Sequence, residues 1–371
     1  MEQRQGVLPS QSIRALIAEG RITAGKAAMD AGQVQPASLD LRLGERAWRV
    51  RASFLAGKGR RLVERIGDFE MHSFPLAEGA VLEKGCVYLV PLMERLDLPD
   101  DIHAVANAKS STGRLDILTR LITDDGSEFD RVAPGYSGPL YAEICPRSFS
   151  VLVRPGMRLN QIRFRRGDAR LADEELRALM GVHAPAGARP RVDNGLAFSV
   201  DLEFAAGGAR HSARPVVGYR ARAHAPLIDL SRVEHYDPDA FWEPVRAEEG
   251  RLVLDPGAFY ILVSRESVVI PPEYAAEMAP YLAMVGEFRV HYAGFFDPGF
   301  GHESAGGRGA RGVLEVRCHE VPFVLEHGQE VGRLVFERMT ARPDRLYGAD
   351  LGSNYQGQGL RLSKHFRVSP P

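Results

Sequence analysis

GCVYLV at residues 85–90 returns as GAFYIL at residues 257–262, an offset of 172. The same offset carries Leu98-Pro99 onto Ile270-Pro271 and Glu143 in LYAEI onto Glu315 in VLEV. It also carries Gly156 in PGMRLNQIRF onto Gly328 in HGQEVGRLVF. The chain is a tandem duplication, and the repeated phrases are of strand type. CVYLVPL, PLYAEI, SVLVRP and NQIRF in the first half, and FYILV, SVVIP, VLEVR and GRLVF in the second, are β-branched or aromatic runs bounded by Gly and Pro.

Helical periodicity is confined to SQSIRALIAE (10–19), which opens on a capping serine, and DEELRALM (173–180). GVHAPAGARPRVDN (181–194) follows without any apolar period and reads as an inter-domain linker. SLDLRLG (38–44) resembles SVDLEFA (199–205), so each copy is expected to open the same way. These features predict a mostly β chain of two tandem barrel or jelly-roll domains with few short helices. The first domain is expected over 1–180 and the second over 195–371.

Composition excludes more than it names. Lys plus Arg number 47 against 48 Asp plus Glu, a net charge of −1 over 371 residues. Such a balance argues against a nucleic-acid surface or a polybasic membrane anchor and leaves only local basic clusters for anionic ligands. No apolar run is long enough to span a bilayer, and MEQRQGVLPSQSIRALI carries no apolar leader. Cys86, Cys145 and Cys318 stand far apart without paired spacing, as thiols of a reduced cytosol do. A cytoplasmic protein is expected.

Two motif matches fail on context. GRGARG (307–312) fits GxGxxG but follows a loop and runs into the strand VLEV, whereas a dinucleotide fingerprint needs a strand before and a helix after. No His pair forms HExxH, Cys318 and His319 would face opposite sides of a strand, and the HxE with PCxxC signature of zinc nucleobase deaminases is absent. No protein metal site is expected.

KSSTGR (109–114) is more specific. Two adjacent hydroxyls with a cation at each end, in a turn after a strand, form a donor cluster suited to phosphate oxygens. The alternative is a helix cap with solvated charges. At the duplicate positions the second copy reads apolar YLAMVG (281–286), so the task is needed only once.

At these residues the chain resembles the dCTP deaminases of the deoxyuridine triphosphatase superfamily. LPSQSIRALIAEGRI with QPASLDLRLG resembles the family opening, and KSSTGR its RSSxxR motif with Lys109 for the first arginine. PGYSGPLYAEI, RPGMRLNQIRF, YAGFFDPGF, VLEV and the tail YGADLGSNYQGQG are similar to further family segments. The double length matches a two-domain branch.

The resemblance implies dUTPase-like domains, a trimer-based homo-oligomer and hydrolysis of dCTP to dUTP and ammonia without a catalytic metal. The only cation implied is the Mg²⁺ that accompanies the nucleotide. Attack of water at C4 of cytosine needs a proton shuttle, the role implied for Glu143 or Glu315. Arg114 and Ser110 would hold the water and the developing charge. Lys109, Ser111 and Thr112 would bind the triphosphate and Asp297 the 3′-hydroxyl, with Ala293 in the base-binding hairpin. Tyr347, Tyr355 and Gln358 would belong to a tail that closes over the nucleotide. Two alternatives remain: a dUTP diphosphatase or bifunctional enzyme giving dUMP, and a non-catalytic nucleotide-binding regulator.

The chain departs from the family at Asn354, where the tail has lysine, and at Ala133, where the first copy lacks the hairpin aspartate. The first copy thus keeps KSSTGR, while the second keeps Ala293, Asp297 and the tail. Either a composite site joins Ser110 and Arg114 to Glu315, or stacked trimers of like halves use Glu143. An odd ring cannot alternate two barrel types, which favours the latter, whereas the complementary losses favour the former.

Overall fold

The computed structural model describes residues 4–25, 27–183, 191–203, 216–280, 288–291, 294–348 and 357–368. Two compact units appear. The first is Met1–Ala169 with Pro226–Arg232 and Arg338–Arg345. The second is Arg170–Ala225 with Val233–Glu337 and Leu346–Pro371. The helix Asp173–His183 therefore belongs with the second unit, where Leu176 and Met180 join the core around Phe198, Leu262, Leu314 and Phe336. Among the described residues no helix is long and apolar enough to cross a membrane.

Among the described residues each unit has three sheets. In the first, Ser137–Pro146 lies between Val87–Asp97 and Ile117–Thr123, Arg158–Arg166 pairs with Ile102–Ala108 and Leu39–Arg42, and Ala80–Leu82 pairs with Val151–Val153. The second repeats the plan: Ala310–Cys318 lies between Phe259–Val268 and Phe288–His291, Glu330–Arg338 pairs with Leu196–Ser199, and Arg251–Leu254 pairs with Phe323–Glu326. Register preserves the duplication on one side of the glutamate strand and is one residue out of the 172 offset on the other. Glu143 stands opposite Leu89 and Arg120, and Glu315 opposite Ile261 and His291. The mostly β architecture with few short helices agrees with the sequence reading.

One sequence match is corrected. Leu43 N–H donates to Met157 O and Leu43 bridges Leu92; Val200 N–H donates to Gln329 O and Val200 bridges Ser264. Because Met157 and Gln329, and likewise Leu92 and Ser264, are duplicate positions, Leu43 corresponds to Val200 and Asp40 to Ala197. SVDLEFA is therefore not the counterpart of SLDLRLG; GLAFSVD (195–201) is. Burial sets this register, since Leu196, Phe198 and Val200 fill the core. A strand glutamate pins it: Arg42 N–H donates to Glu94 Oε2 at 2.8 Å and Ser199 N–H to Glu266 Oε2 at 2.8 Å.

Two local expectations also change. Ser10 is the first residue of the helix Ser10–Ala18 and not its cap; its hydroxyl donates to Asp344 Oδ1 at 2.5 Å, from the returning segment Arg338–Arg345. The helix Leu62–Phe69 was not legible locally, because its first N–H is satisfied at 2.7 Å by Asp124 Oδ1, far away in sequence.

Residues of the second half complete the first unit. Ile228–Asp229 adds a parallel strand to Val151–Val153, and the Arg154 guanidinium meets the Asp229 carboxylate at 2.8 and 3.2 Å. The Arg154 hydrogen bonds, with those from Ser231, hold the Asp229 carboxyl far below the usual carboxylate range. A depressed folded-state pKa contributes stability above the unfolded value of about 4 that is lost as pH falls below it. Lowering the pH from 6 to 3 should therefore reduce the urea midpoint less in Asp229→Asn than in the parent chain. Equal reductions would contradict the assignment.

Candidate active site

KSSTGR follows the strand Ile102–Ala108. Lys109 is extended, Ser110–Gly113 makes a single helical turn, and Arg114 closes it with its N–H on Ser110 O at 3.1 Å. Both ends are fastened. Lys109 N–H donates to Leu159 O at 2.9 Å, and after the turn Asp116, at φ 56°, accepts the Ser148 hydroxyl at 2.6 Å. Ser111, Thr112 and Arg114 are buried, whereas Lys109 and Ser110 are half-buried.

The Lys109 ammonium is ion-paired with Asp40, a carboxylate 2% exposed on Leu39–Arg42, with Arg158 Nη1 3.8 Å from the same oxygen. Nothing local in the sequence marks Asp40 as the anchor of Lys109; strand register alone reveals it. Asp40→Asn should cost about 1–3 kcal/mol in urea unfolding, less than a wholly buried pair because Lys109 reaches solvent. The exposed Arg14–Asp344 pair provides the contrast: Arg14→Ala should stay within about 1 kcal/mol.

The two candidate bases differ in their surroundings. Glu143, 3% exposed, accepts Arg120 Nε at 3.1 Å and Nη2 at 2.5 Å on the same oxygen. The Arg120 guanidinium also donates to Ser53 Oγ at 2.9 Å and lies 3.7 Å from the Phe129 ring centroid. Leu89 faces Glu143 across the strand, and with Ile122 and Tyr141 it packs under Phe54, Leu62 and Ile66 of the 51–69 connection. Burial is the main cause that raises the pKa of the Tyr141 phenol on that face. Arg120 and this cover were not identified from sequence, although Arg120 in LTRLIT was the available signal.

In the second unit the connection 222–241 takes the place of 51–69, and its residues Pro226–Arg232 belong to the first unit, with Ile228–Asp229 in a sheet there. Glu315 is 7% exposed. Of the expected residues, Gln358 meets the strand of Glu315, and Tyr347 meets the segment that carries Asp297. Asp297 is buried, and Phe296 meets Phe300 edge-on at 5.2 Å. Phe300 stands 5.7 Å from Tyr347, whose N–H donates to Pro298 O at 2.8 Å. Gly299, at φ 97°, admits this approach, since a Cβ there would lie 2.9 Å from Leu346 Cβ. Gln358 pairs with the backbone of Arg311 at the start of the strand, at 3.1 and 3.2 Å. Ala293, Tyr355, Asn354 and YLAMVG lie outside the described residues. Among the described residues no three His, Cys, Asp or Glu side chains are grouped to hold a metal ion.

Comparison with known proteins bears on this arrangement. Residues 4–168 match the family model described as 2'-deoxycytidine 5'-triphosphate deaminase (DCD) N-terminal domain, and residues 172–366 match its C-terminal domain model. A dCTP deaminase of Halorubrum lacusprofundi is 33% identical over 134 residues, 36% of this chain. That match spans 63% of the Halorubrum protein, less than two thirds of its length. A protein of Halobacterium salinarum described as dCTP deaminase, dUMP-forming, is 33% identical over 144 residues, 37% of this chain and 67% of that protein. The crystal structure of 2'-deoxycytidine 5'-triphosphate deaminase from Agrobacterium tumefaciens is 53% identical with a TM-score of 0.84, covering 91% of this chain and 99% of that one.

Proposed function

The chain belongs to the 2'-deoxycytidine 5'-triphosphate deaminase family, and from that premise we propose that it converts dCTP and water to dUTP and ammonia with Glu315 as the proton shuttle. The observation that carries the choice of base is the Arg120–Glu143 pair. Glu143 has one oxygen claimed twice by a guanidinium and lies on a face covered by its own chain. In the second unit Gln358 pairs with the backbone of Arg311 on the strand of Glu315, and Tyr347 N–H donates to Pro298 O, next to Asp297 in sequence.

In the proposed reaction Glu315 takes a proton from the water as its oxygen bonds to C4, and delivers that proton to N3. A second proton, from the new hydroxyl, passes to the amine; the C4–N bond then breaks and ammonia leaves. Arg114 and Ser110 orient the water and stabilise developing charge. Lys109, Ser111 and Thr112 bind the triphosphate with its Mg²⁺, Asp297 accepts the 3′-hydroxyl, and Ala293 lines the base. Tyr347, Tyr355 and Gln358 close over the nucleotide. The proposed enzyme is a trimer-based assembly of the cytoplasm.

A second reading adds release of pyrophosphate to give dUMP, and the description of the Halobacterium relative favours it. Assaying ammonia and pyrophosphate from dCTP tests both. Ammonia equal to the dCTP consumed, without pyrophosphate, is the expected result; both products together would establish the dUMP-forming reaction. Absence of ammonia would overturn the proposal. A chelator that binds transition metals and spares Mg²⁺ should leave the rate unchanged, and loss of activity with one zinc per chain would refute the metal-free mechanism.

A further inference from the structure

Asn160 lies on the strand Arg158–Arg166, directly opposite Ala108 on one side and Leu41 on the other. It is 0% exposed, and among the described residues neither Nδ2 nor Oδ1 of its carboxamide has a hydrogen-bond partner. An unmatched buried amide is costly, because desolvation is not repaid by a bond inside the protein. Leucine would fill such a place without that penalty. A native chain that keeps the amide there calls for a reason.

The duplication supplies a control within the same molecule. Asn160 faces Leu41, and Gly332 faces Phe198, which the strand registers make equivalent positions. The copy that carries KSSTGR therefore has asparagine where the copy without it has glycine. Crowding does not force the glycine, since a Cβ on Gly332 would have its nearest atom, Ala279 O, at an ordinary 3.5 Å. Asn160 also sits beneath the motif: it is paired with Ala108, the last residue before Lys109, and its neighbour Leu159 accepts the Lys109 N–H at 2.9 Å.

We propose that Asn160 is a positioning residue for the KSSTGR turn, holding a buried water between its carboxamide and the Ser110–Gly113 turn. A carboxamide is suited to this task because it offers both a donor and an acceptor to a single water. The consequence is that Ser110 and Arg114 keep one orientation during turnover. This role rests on the deaminase reading above.

The test uses the full chain with Asn160→Leu, which keeps the branching at Cγ with bulkier ends and removes both polar atoms. The melting temperature should be unchanged or higher, while kcat for ammonia release falls about tenfold to a hundredfold with KM nearly constant, as expected when a catalytic group is misplaced without loss of binding. Hydrogen exchange at the amides of 110–114 should accelerate in the variant, with the strand Phe259–Val268 unaffected. Asn160→Ser, which retains a donor and an acceptor, should recover part of the lost rate. Should Asn160→Leu not fold, Asn160→Gly, the residue of the second copy, is read in the same way. Turnover within twofold of the parent, or unchanged exchange at 110–114, would overturn the proposal. A parent chain that releases no ammonia would sink the deaminase reading instead, and the exchange measurement would still decide the role of Asn160.

Discussion

Glu315→Gln should lower ammonia release from dCTP by about a thousandfold or more while dCTP binding changes by less than about tenfold. Glutamine preserves the shape and the hydrogen-bonding capacity of the side chain but cannot carry a proton between water, N3 and the amine. Glu315 lies on the strand Ala310–Cys318, between Ile261 and His291, so the substitution leaves the sheet intact. Retention of a tenth or more of the parent rate would remove Glu315 from the mechanism. Binding is best measured by isothermal titration with dCTP, so that lost turnover is not confused with lost occupancy.

Arg114→Ala should reduce turnover of bound dCTP by about a hundredfold to a thousandfold, with a much smaller change in dissociation constant. Arg114 as a residue is 3% exposed, where a charge acts through a low dielectric, and the triphosphate has Lys109, Ser111 and Thr112 as other proposed contacts. A thermal melt must accompany the kinetics, because truncating a buried arginine also removes packing. If affinity falls and the turnover of the bound complex does not, Arg114 is a binding residue and the assigned role is wrong.

The strand pattern and the duplication were legible because both depend on short-range features: period, turn residues, and phrases such as GCVYLV and GAFYIL repeated at one offset. What escaped the sequence was set by pairing between distant segments. The S-x-D triplets in SLDLRLG and SVDLEFA drew the two openings into a false match. The true register follows from core residues 196, 198 and 200 and from Glu94 and Glu266, each of which captures a backbone N–H across the sheet. Likewise the helix Leu62–Phe69 takes its N-terminal acceptor from Asp124, and the first unit takes strand residues from Pro226–Arg232.

The candidate site divides along the same line. Ser110, Arg114, Glu143, Glu315 and Asp297 stand out as residue types in motifs. The Asp40 anchor of Lys109, the Arg120 guanidinium on Glu143 and Asn160, unpartnered among the described residues, become visible only when strands 39–42, 117–123 and 158–166 are set side by side. The partner of Glu143 is likewise set by pairing between distant strands. Arg120 stands opposite Glu143, and its guanidinium donates to that carboxylate.

In the proposed mechanism Glu143 is structural. The direct measurement is the rate of ammonia release by Glu143→Gln at saturating dCTP, at a temperature where the variant is folded. Loss of the Arg120 ion pair should lower its melting temperature, yet its turnover should stay within about threefold of the parent because no reacting proton passes through it. A loss of turnover as deep as that expected for Glu315→Gln would contradict that mechanism and place the base in the first copy.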